Sequence, residues 1–241
     1  SSMYGDSERR VGLALDDGWR DRVILQTKAG YTKDRGYDYS GPSIRASVEN
    51  SLRLLRTDYI DSVLVHDPKN IEEALYPGCA FDELRKMKDE GIIGHVGLGI
   101  RGVEQHRRAV EAGVTEINLT HMDYTLLDQG AVPTLFPMFK KAGVGVLIAS
   151  PLKVVLAGPE PDRDETPKAH AMWVWCRERG VNVRDLALQF CLQAPINAIV
   201  LCGPANPQQV EANWASAQVD VPADLWAAFK ERFGVVEYDG S

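Results

Sequence analysis

Apolar and polar positions along the chain follow two rhythms. Short runs rich in Val, Leu and Ile recur at 22–28, 61–66, 95–99, 115–120, 144–149 and 197–202. Runs of this length and branched content read as buried parallel strands. Between them, apolar residues recur at helical spacing. Helices are predicted over 7–17, 42–56, 103–112, 131–142, 167–179, 183–194, 207–217 and 222–233. A further helical region covers 70–90 and breaks at Pro77-Gly78. The expected buried stripes are Ile44, Val48, Leu52 and Leu55 in one helix and Phe81, Leu84 and Met87 in another. Val11, Leu13, Ala14 and Leu15 mark the expected inner side of the first helix. Alternating helix and strand, with no second block of composition, predicts one α/β domain over 1–241 built on a parallel sheet. Six strands fall short of the eight of a closed (β/α)8 barrel. The pattern by itself is compatible with an open sheet or with a barrel lacking its first elements.

Chemistry gathers where strands end. The run Asp61-Ser62-Val63-Leu64-Val65-His66 stops in a histidine, and Val23-Ile24-Leu25-Gln26-Thr27-Lys28 stops in a lysine. Tyr4 precedes both. In a barrel, polar residues at the C-terminal ends of strands face the active-site mouth. A lysine ammonium beside a tyrosine hydroxyl favours the phenolate, which suits tyrosine to general acid or base work. The polar loop at 29–39 follows such a strand end and is expected to face a substrate, as are 67–80, 120–130 and 150–166. Taken without context, a strand-end histidine or lysine is as often a satisfied core group or a solvated cap.

Composition narrows the class. Hydrophobic residues make up 44% and charged ones 25%, the balance of a soluble globular protein. The net charge of −7 argues against nucleic acid or an anionic membrane as partner. No apolar stretch is long enough to span a bilayer, and no secretory leader opens the sequence. The four cysteines at 79, 176, 191 and 202 are scattered, which points to cytoplasmic thiols, with Cys191 and Cys202 as packing residues. They offer no metal-ligand spacing. Trp19, Trp173, Trp175 and Trp226 are expected to pack.

Several motifs in order resemble those of the aldo-keto reductase family. Tyr4-Gly5-Asp6-Ser7-Glu8 resembles the segment around the family's proton-donating tyrosine. Thr27-Lys28, Tyr59-Ile60-Asp61 through His66, and Lys88-Asp89-Glu90-Gly91-Ile92-Ile93-Gly94-His95-Val96-Gly97 resemble the next three signatures. Gly203 to Asn213 resembles the adenine-side cofactor loop and helix. The resemblance covers Ser1 to about Phe233. It implies a (β/α)8 TIM barrel whose first βα unit and most of whose second strand are missing from this sequence. It also implies Tyr4, Lys28 and His66 as catalytic groups, with the family's catalytic aspartate falling before Ser1. Tyr124-Thr125-Leu126-Leu127-Asp128-Gln129, Ala149-Ser150-Pro151-Leu152 and His66-Asp67-Pro68 are similar to the sugar-oxidising branch.

That branch implies a nicotinamide dinucleotide held by Ser150, Leu152, Gly203, Gln209, Asn213 and His121. His121 stands where many members have glutamine, Gly99 and Ile100 where many have Ser-Asn, and Ala149 where many have a stacking tyrosine. Gly203 through Gln209 contains no Lys or Arg to pair with a 2′-phosphate, so NAD is expected over NADP. The implied reaction oxidises an aldose at C1 to a lactone. Alternatives are an NADPH-dependent carbonyl reductase of the same fold and a non-catalytic dinucleotide-binding relative. The expected partner is a small sugar or carbonyl compound.

Overall fold

A computed structural model describes residues 1–34 and 36–241. The chain divides into two compact units, Ser1–Leu119 and Thr120–Ser241.

In the first unit, a 3-10 turn at Ser2–Tyr4 leads to helix α1, Ser7–Ala14. A second 3-10 turn, Trp19–Arg22, precedes strand β1, Gln26–Ala29. Strands β2 (Tyr31–Thr32) and β3 (Gly36–Tyr37) form an antiparallel hairpin. Then come α2 (Gly41–Leu55), β4 (Ile60–His66), α3 (Ile71–Leu75), α4 (Ala80–Asp89), β5 (Ile93–Ile100) and α5 (Val103–Glu111). Strands β1, β4 and β5 pair in parallel, with Lys28 opposite Leu64 and His66 opposite Gly99. Val63, Leu64 and Val65 of β4 are all fully buried, so both faces of this central strand are covered. Ile44, Val48 and Leu55 of α2 and Phe81, Leu84 and Met87 of α4 supply the covering layer. Burying each such side chain stabilises the unit by roughly 1.5–3 kcal/mol. Strand β6, Ile117–His121, runs across the division between the units.

The second unit holds α6 (Leu135–Ala142), β7 (Gly145–Ala149), α7 (Pro167–Glu178), α8 (Val183–Leu192), β8 (Ala198–Leu201), α9 (Pro207–Ala217) and α10 (Ala223–Phe233). Strands β7 and β8 pair in parallel, Val146 opposite Ala198 and Ala149 opposite Leu201. Its core is aromatic. Tyr124 stacks on Phe190 with centroids 4.4 Å apart, and Trp226 on Phe229 at 5.9 Å. Trp175 meets the edge of Phe229 at 5.3 Å, while Arg179 covers its other side at 4.0 Å. Trp175 and Trp226 therefore pack as expected, whereas Trp19 is half exposed beneath the Arg22 guanidinium. Cys191 is buried and donates its thiol to Tyr124 O at 3.3 Å, while Cys202 is only half buried. Among the described residues, no helix is long and apolar enough to cross a membrane.

Several expected boundaries shift for identifiable reasons. Helix α1 ends at Ala14 rather than residue 17, because Asp17 and Gly18 take the left-handed conformation with φ of 61° and 80°. Its inner face is also not the apolar one. Glu8 and Gly12 are buried, whereas Val11 and Leu13 are exposed. A Cβ at Gly12 would stand 2.3 Å from Leu54 O, so α1 crosses α2 at a distance that only glycine allows. The first strand begins at Gln26 rather than residue 22. Asp61 takes the Leu25 N–H at 2.8 Å and pairs with Arg20, whose guanidinium also donates to Val23 O and Tyr59 O. Those backbone groups are thus satisfied by side chains and not by a ladder. The expected loop at 29–39 contains the β2–β3 hairpin, and its position 35 lies outside the described residues. The helix expected from residue 131 starts at Leu135 after a turn in which Leu135 N donates to Ala131 O.

Candidate active site

Strand β4 delivers His66 as its last residue, and β1 delivers Lys28 one residue before its own end, opposite Leu64. The 3-10 turn at Ser2–Tyr4 lays the tyrosine against them. Lys28 Nζ donates to Tyr4 Oη at 2.9 Å and lies 5.1 Å from the ring centroid. Tyr4 Oη is 3.3 Å from His66 Nε2, and the two rings stack with centroids 5.6 Å apart. The three residues expected at strand ends therefore meet at one point. Tyr4 is 52% exposed while His66 is 2% exposed, so the cluster opens to solvent through the tyrosine.

Burial, reinforced by the Lys28 charge, lowers the His66 pKa from 6.5 to about 4. The imidazole is neutral at pH 7. Its Nδ1 has Ser1 Oγ at 3.3 Å, and its Nε2 also has Asp67 Oδ2 at 3.5 Å. The Lys28 stem runs beside Gly99. A Cβ there would touch the lysine Cε at 3.4 Å, so the lysine stem lies along a strand position that carries no side chain. Ile100, the neighbour of Gly99, is buried in the core.

Tyr39 carries no motif that marks it in the sequence. It is buried, and its hydroxyl donates to His66 O at 2.8 Å. Gly30 makes room for it: a Cβ at that residue, whose φ is 115°, would stand 2.6 Å from the Tyr39 ring. No sequence pattern links a phenol to a carbonyl 27 positions away. The Gly30-Tyr31 turn was the available signal. A second overlooked anchor is Glu8, which accepts from Thr27 Oγ1 at 2.6 Å in a buried contact and ties α1 to β1.

The remaining expected residues belong to the second unit, His121 closing strand β6 in an exposed position. Ser150 follows β7 with φ of 59°, and Leu152 is buried. Gly203 is exposed, with open space where a Cβ would be. The loop at 203–206 runs into the N-terminus of α9, where Asn206 Oδ1 accepts from Gln209 N at 2.9 Å. Gln209 Oε1 in turn accepts from Ala205 N at 2.7 Å. The glutamine expected on an adenine thus spends its oxygen on the loop itself. Asn213 lies one helical turn further along α9 and is half exposed. Helix N-termini favour anions, and a pinned, neutral loop ahead of one suits a dinucleotide phosphate. Among the described residues, no group of three or more His, Cys, Asp or Glu is placed to hold a metal ion.

A tyrosine hydroxyl set between a lysine ammonium and a neutral imidazole is an arrangement able to give or take a proton. The chain belongs to the Aldo/keto reductase family, whose model matches residues 1–232. It is 29% identical to a D-threo-aldose 1-dehydrogenase from Pseudomonas sp, covering 94% of this chain and 80% of that protein. It is 31% identical to an L-galactose dehydrogenase from Arabidopsis thaliana, covering 90% of this chain and 72% of that one. An aldo-keto reductase from Bacillus halodurans in its holo form superposes with a TM-score of 0.77 at 23% identity, covering 96% of this chain and 80% of that chain. The fold class is therefore the α/β (β/α)8 barrel of that family. The protein is an enzyme that acts on small carbonyl or sugar substrates with a nicotinamide cofactor.

Proposed function

We propose that the enzyme oxidises an aldose at C1 to the lactone, with NAD as its cofactor and Tyr4, Lys28 and His66 as its catalytic groups. The observation that carries this reading is the meeting of the three side chains, with Tyr4 Oη 2.9 Å from Lys28 Nζ and 3.3 Å from His66 Nε2. Tyr4 takes the proton of the anomeric hydroxyl. The Lys28 cation stabilises the phenolate that accepts it. Neutral His66 orients the sugar oxygen through Nε2 without adding charge. Ser150, Leu152, His121, Gly203, Gln209 and Asn213 would hold the cofactor, whose nicotinamide supplies the two-electron acceptor. The absence of Lys and Arg from Gly203 through Gln209 supports NAD. The similarity to two sugar dehydrogenases supports an aldose. A cytoplasmic location goes with four free cysteines.

The test combines fluorescence titration with NADH and NADPH and assays on L-galactose, L-fucose and D-arabinose. NADH is expected to bind more tightly, and NAD is expected to support turnover. Tyr4→Phe is expected to lower kcat roughly 10²–10⁴-fold while NADH still binds. A clear NADPH preference refutes the cofactor assignment, and full activity in Tyr4→Phe refutes the mechanism.

A further inference from the structure

Strand β4 runs into two polar residues, and the chemistry above uses only His66. The other, Asp67, has φ of 45°, a left-handed conformation uncommon outside glycine, asparagine and aspartate. Two hydrogen bonds hold it there. The Asp67 N–H donates to Gly99 O at 2.9 Å, and Tyr39 clamps the preceding carbonyl at 2.8 Å. Backbone strain of this kind, fixed from both sides at a strand end, is a mark of functional sites. The turn sets the Asp67 side chain, 45% exposed, with Oδ2 3.5 Å from His66 Nε2. That is the nitrogen that also faces the Tyr4 hydroxyl.

The β2–β3 hairpin contributes the second half. Tyr31 meets Tyr37 edge to face at 5.2 Å, and Tyr37 stacks on Tyr39 at 6.1 Å. Strand β2 packs against the turn that carries Tyr4. The Tyr37 ring, braced on Tyr39, remains 40% exposed. Tyr39, on which Tyr37 stacks, is the residue whose hydroxyl holds the His66 carbonyl, so the hairpin is tied to the strand end that carries Asp67. A braced aromatic face and a fixed carboxylate thus flank the proton-transfer cluster.

We propose that Tyr37 and Asp67 form a polyol subsite, the ring taking the C–H face of a sugar and the carboxylate accepting from its C2 hydroxyl. A sugar offers both features, an apolar face and a hydroxylated edge, whereas a small aldehyde offers neither. Aromatic rings supply apolar area with a defined orientation. A site built to bond a hydroxyl discriminates strongly against analogues that lack it. The subsite rests on the aldose reading only for which carbon reacts; sugar binding itself needs no turnover.

The experiment measures L-galactose binding by NMR titration in the wild type, Tyr4→Phe, Tyr37→Ala and Asp67→Asn, and repeats it with the 2-deoxy sugar. Asparagine tolerates a positive φ, so Asp67→Asn keeps the turn. The expected result is a loss of affinity of at least tenfold in both Tyr37→Ala and Asp67→Asn, with binding retained in Tyr4→Phe. The Asp67→Asn loss should shrink to less than threefold for the 2-deoxy sugar, which a general structural defect would not do. The ratio of kcat/KM for L-galactose to that for methylglyoxal should also fall at least tenfold in Asp67→Asn. Unchanged sugar affinity, or equal losses for both sugars, overturns the subsite even if turnover persists. Asp67-dependent binding in a protein that turns over no aldose with either dinucleotide upholds the subsite and overturns the aldose-oxidation reading.

Discussion

Two neutral histidines should make the first unit sensitive to mild acid. His66 and His106 are 2% and 0% exposed, and burial is the main cause that lowers each pKa from 6.5 to about 4. An unfolded chain binds a proton at each imidazole below about pH 6.5, whereas the folded chain resists until about pH 4. The unfolded state therefore holds more protons across this window, and stability falls as pH falls. The contribution is fully present above pH 6.5 and is lost as pH drops through the folded values. Linkage gives about 2 kcal/mol per histidine between pH 7 and pH 5, so about 4 kcal/mol for the pair. That is a large fraction of a typical 5–15 kcal/mol of stability. Carboxylates protonate mainly below this window, which isolates the histidines. His106 is the better probe, because it lies outside the proposed chemistry and its Nε2 sits 3.1 Å from Ile100 O. Glutamine can keep that contact through its side-chain amide. Urea unfolding at pH 7 and pH 5, at fixed ionic strength, should show a drop of about 4 kcal/mol in the wild type and about half that in His106→Gln. A wild-type difference below about 0.5 kcal/mol, or an unchanged difference in His106→Gln, would refute the account.

Two further perturbations test the packing. Gly97→Ala should destabilise the protein by about 3 kcal/mol or more by denaturant unfolding, because its Cβ would stand 2.2 Å from Ile117 O and 2.4 Å from a Leu64 methyl. Gly99→Ala, whose nearest contacts are at 3.4 Å, should stay within about 1 kcal/mol of wild type; equal losses would contradict the geometry. Arg45 pairs with the buried carboxylate of Glu83 and, through two hydrogen bonds of 2.9 and 2.7 Å, with Glu90. Arg45→Met leaves Glu83 with Lys86 at 3.3 Å and should cost roughly 1–3 kcal/mol, read as a lowered urea midpoint.

The alternation of strand and helix was legible because parallel strands bury both faces and so read as unbroken apolar runs. That holds for Val63, Leu64 and Val65. The faces of helices were legible only where contacts are made by large apolar groups. Helix α2 obeys its stripe, but α1 turns inward through Glu8 and Gly12, a carboxylate and a residue with no side chain. Hydrophobicity carries no trace of a contact made by absence of bulk. The start of β1 was misplaced because Asp61, distant in sequence, captures the Leu25 N–H. Tyr4, Lys28 and His66 were visible as strand-end chemistry and through family motifs, and the structure brings them together. What could not be read was the scaffold behind them. The Lys28 stem beside Gly99 and the Tyr39 bond to His66 O both depend on long-range register.

The bond from the Tyr39 hydroxyl also limits how this enzyme can be altered. Segments that meet the substrate are where a barrel usually accommodates new specificities, because they can be replaced without disturbing the strands. Here the hairpin segment is tied to His66 through the Tyr39 hydroxyl, and Gly30 clears the space for that ring. Within this segment, positions 30 and 39 travel with the histidine. An evolving lineage that exchanged the whole segment would also give up the phenol that anchors the end of β4.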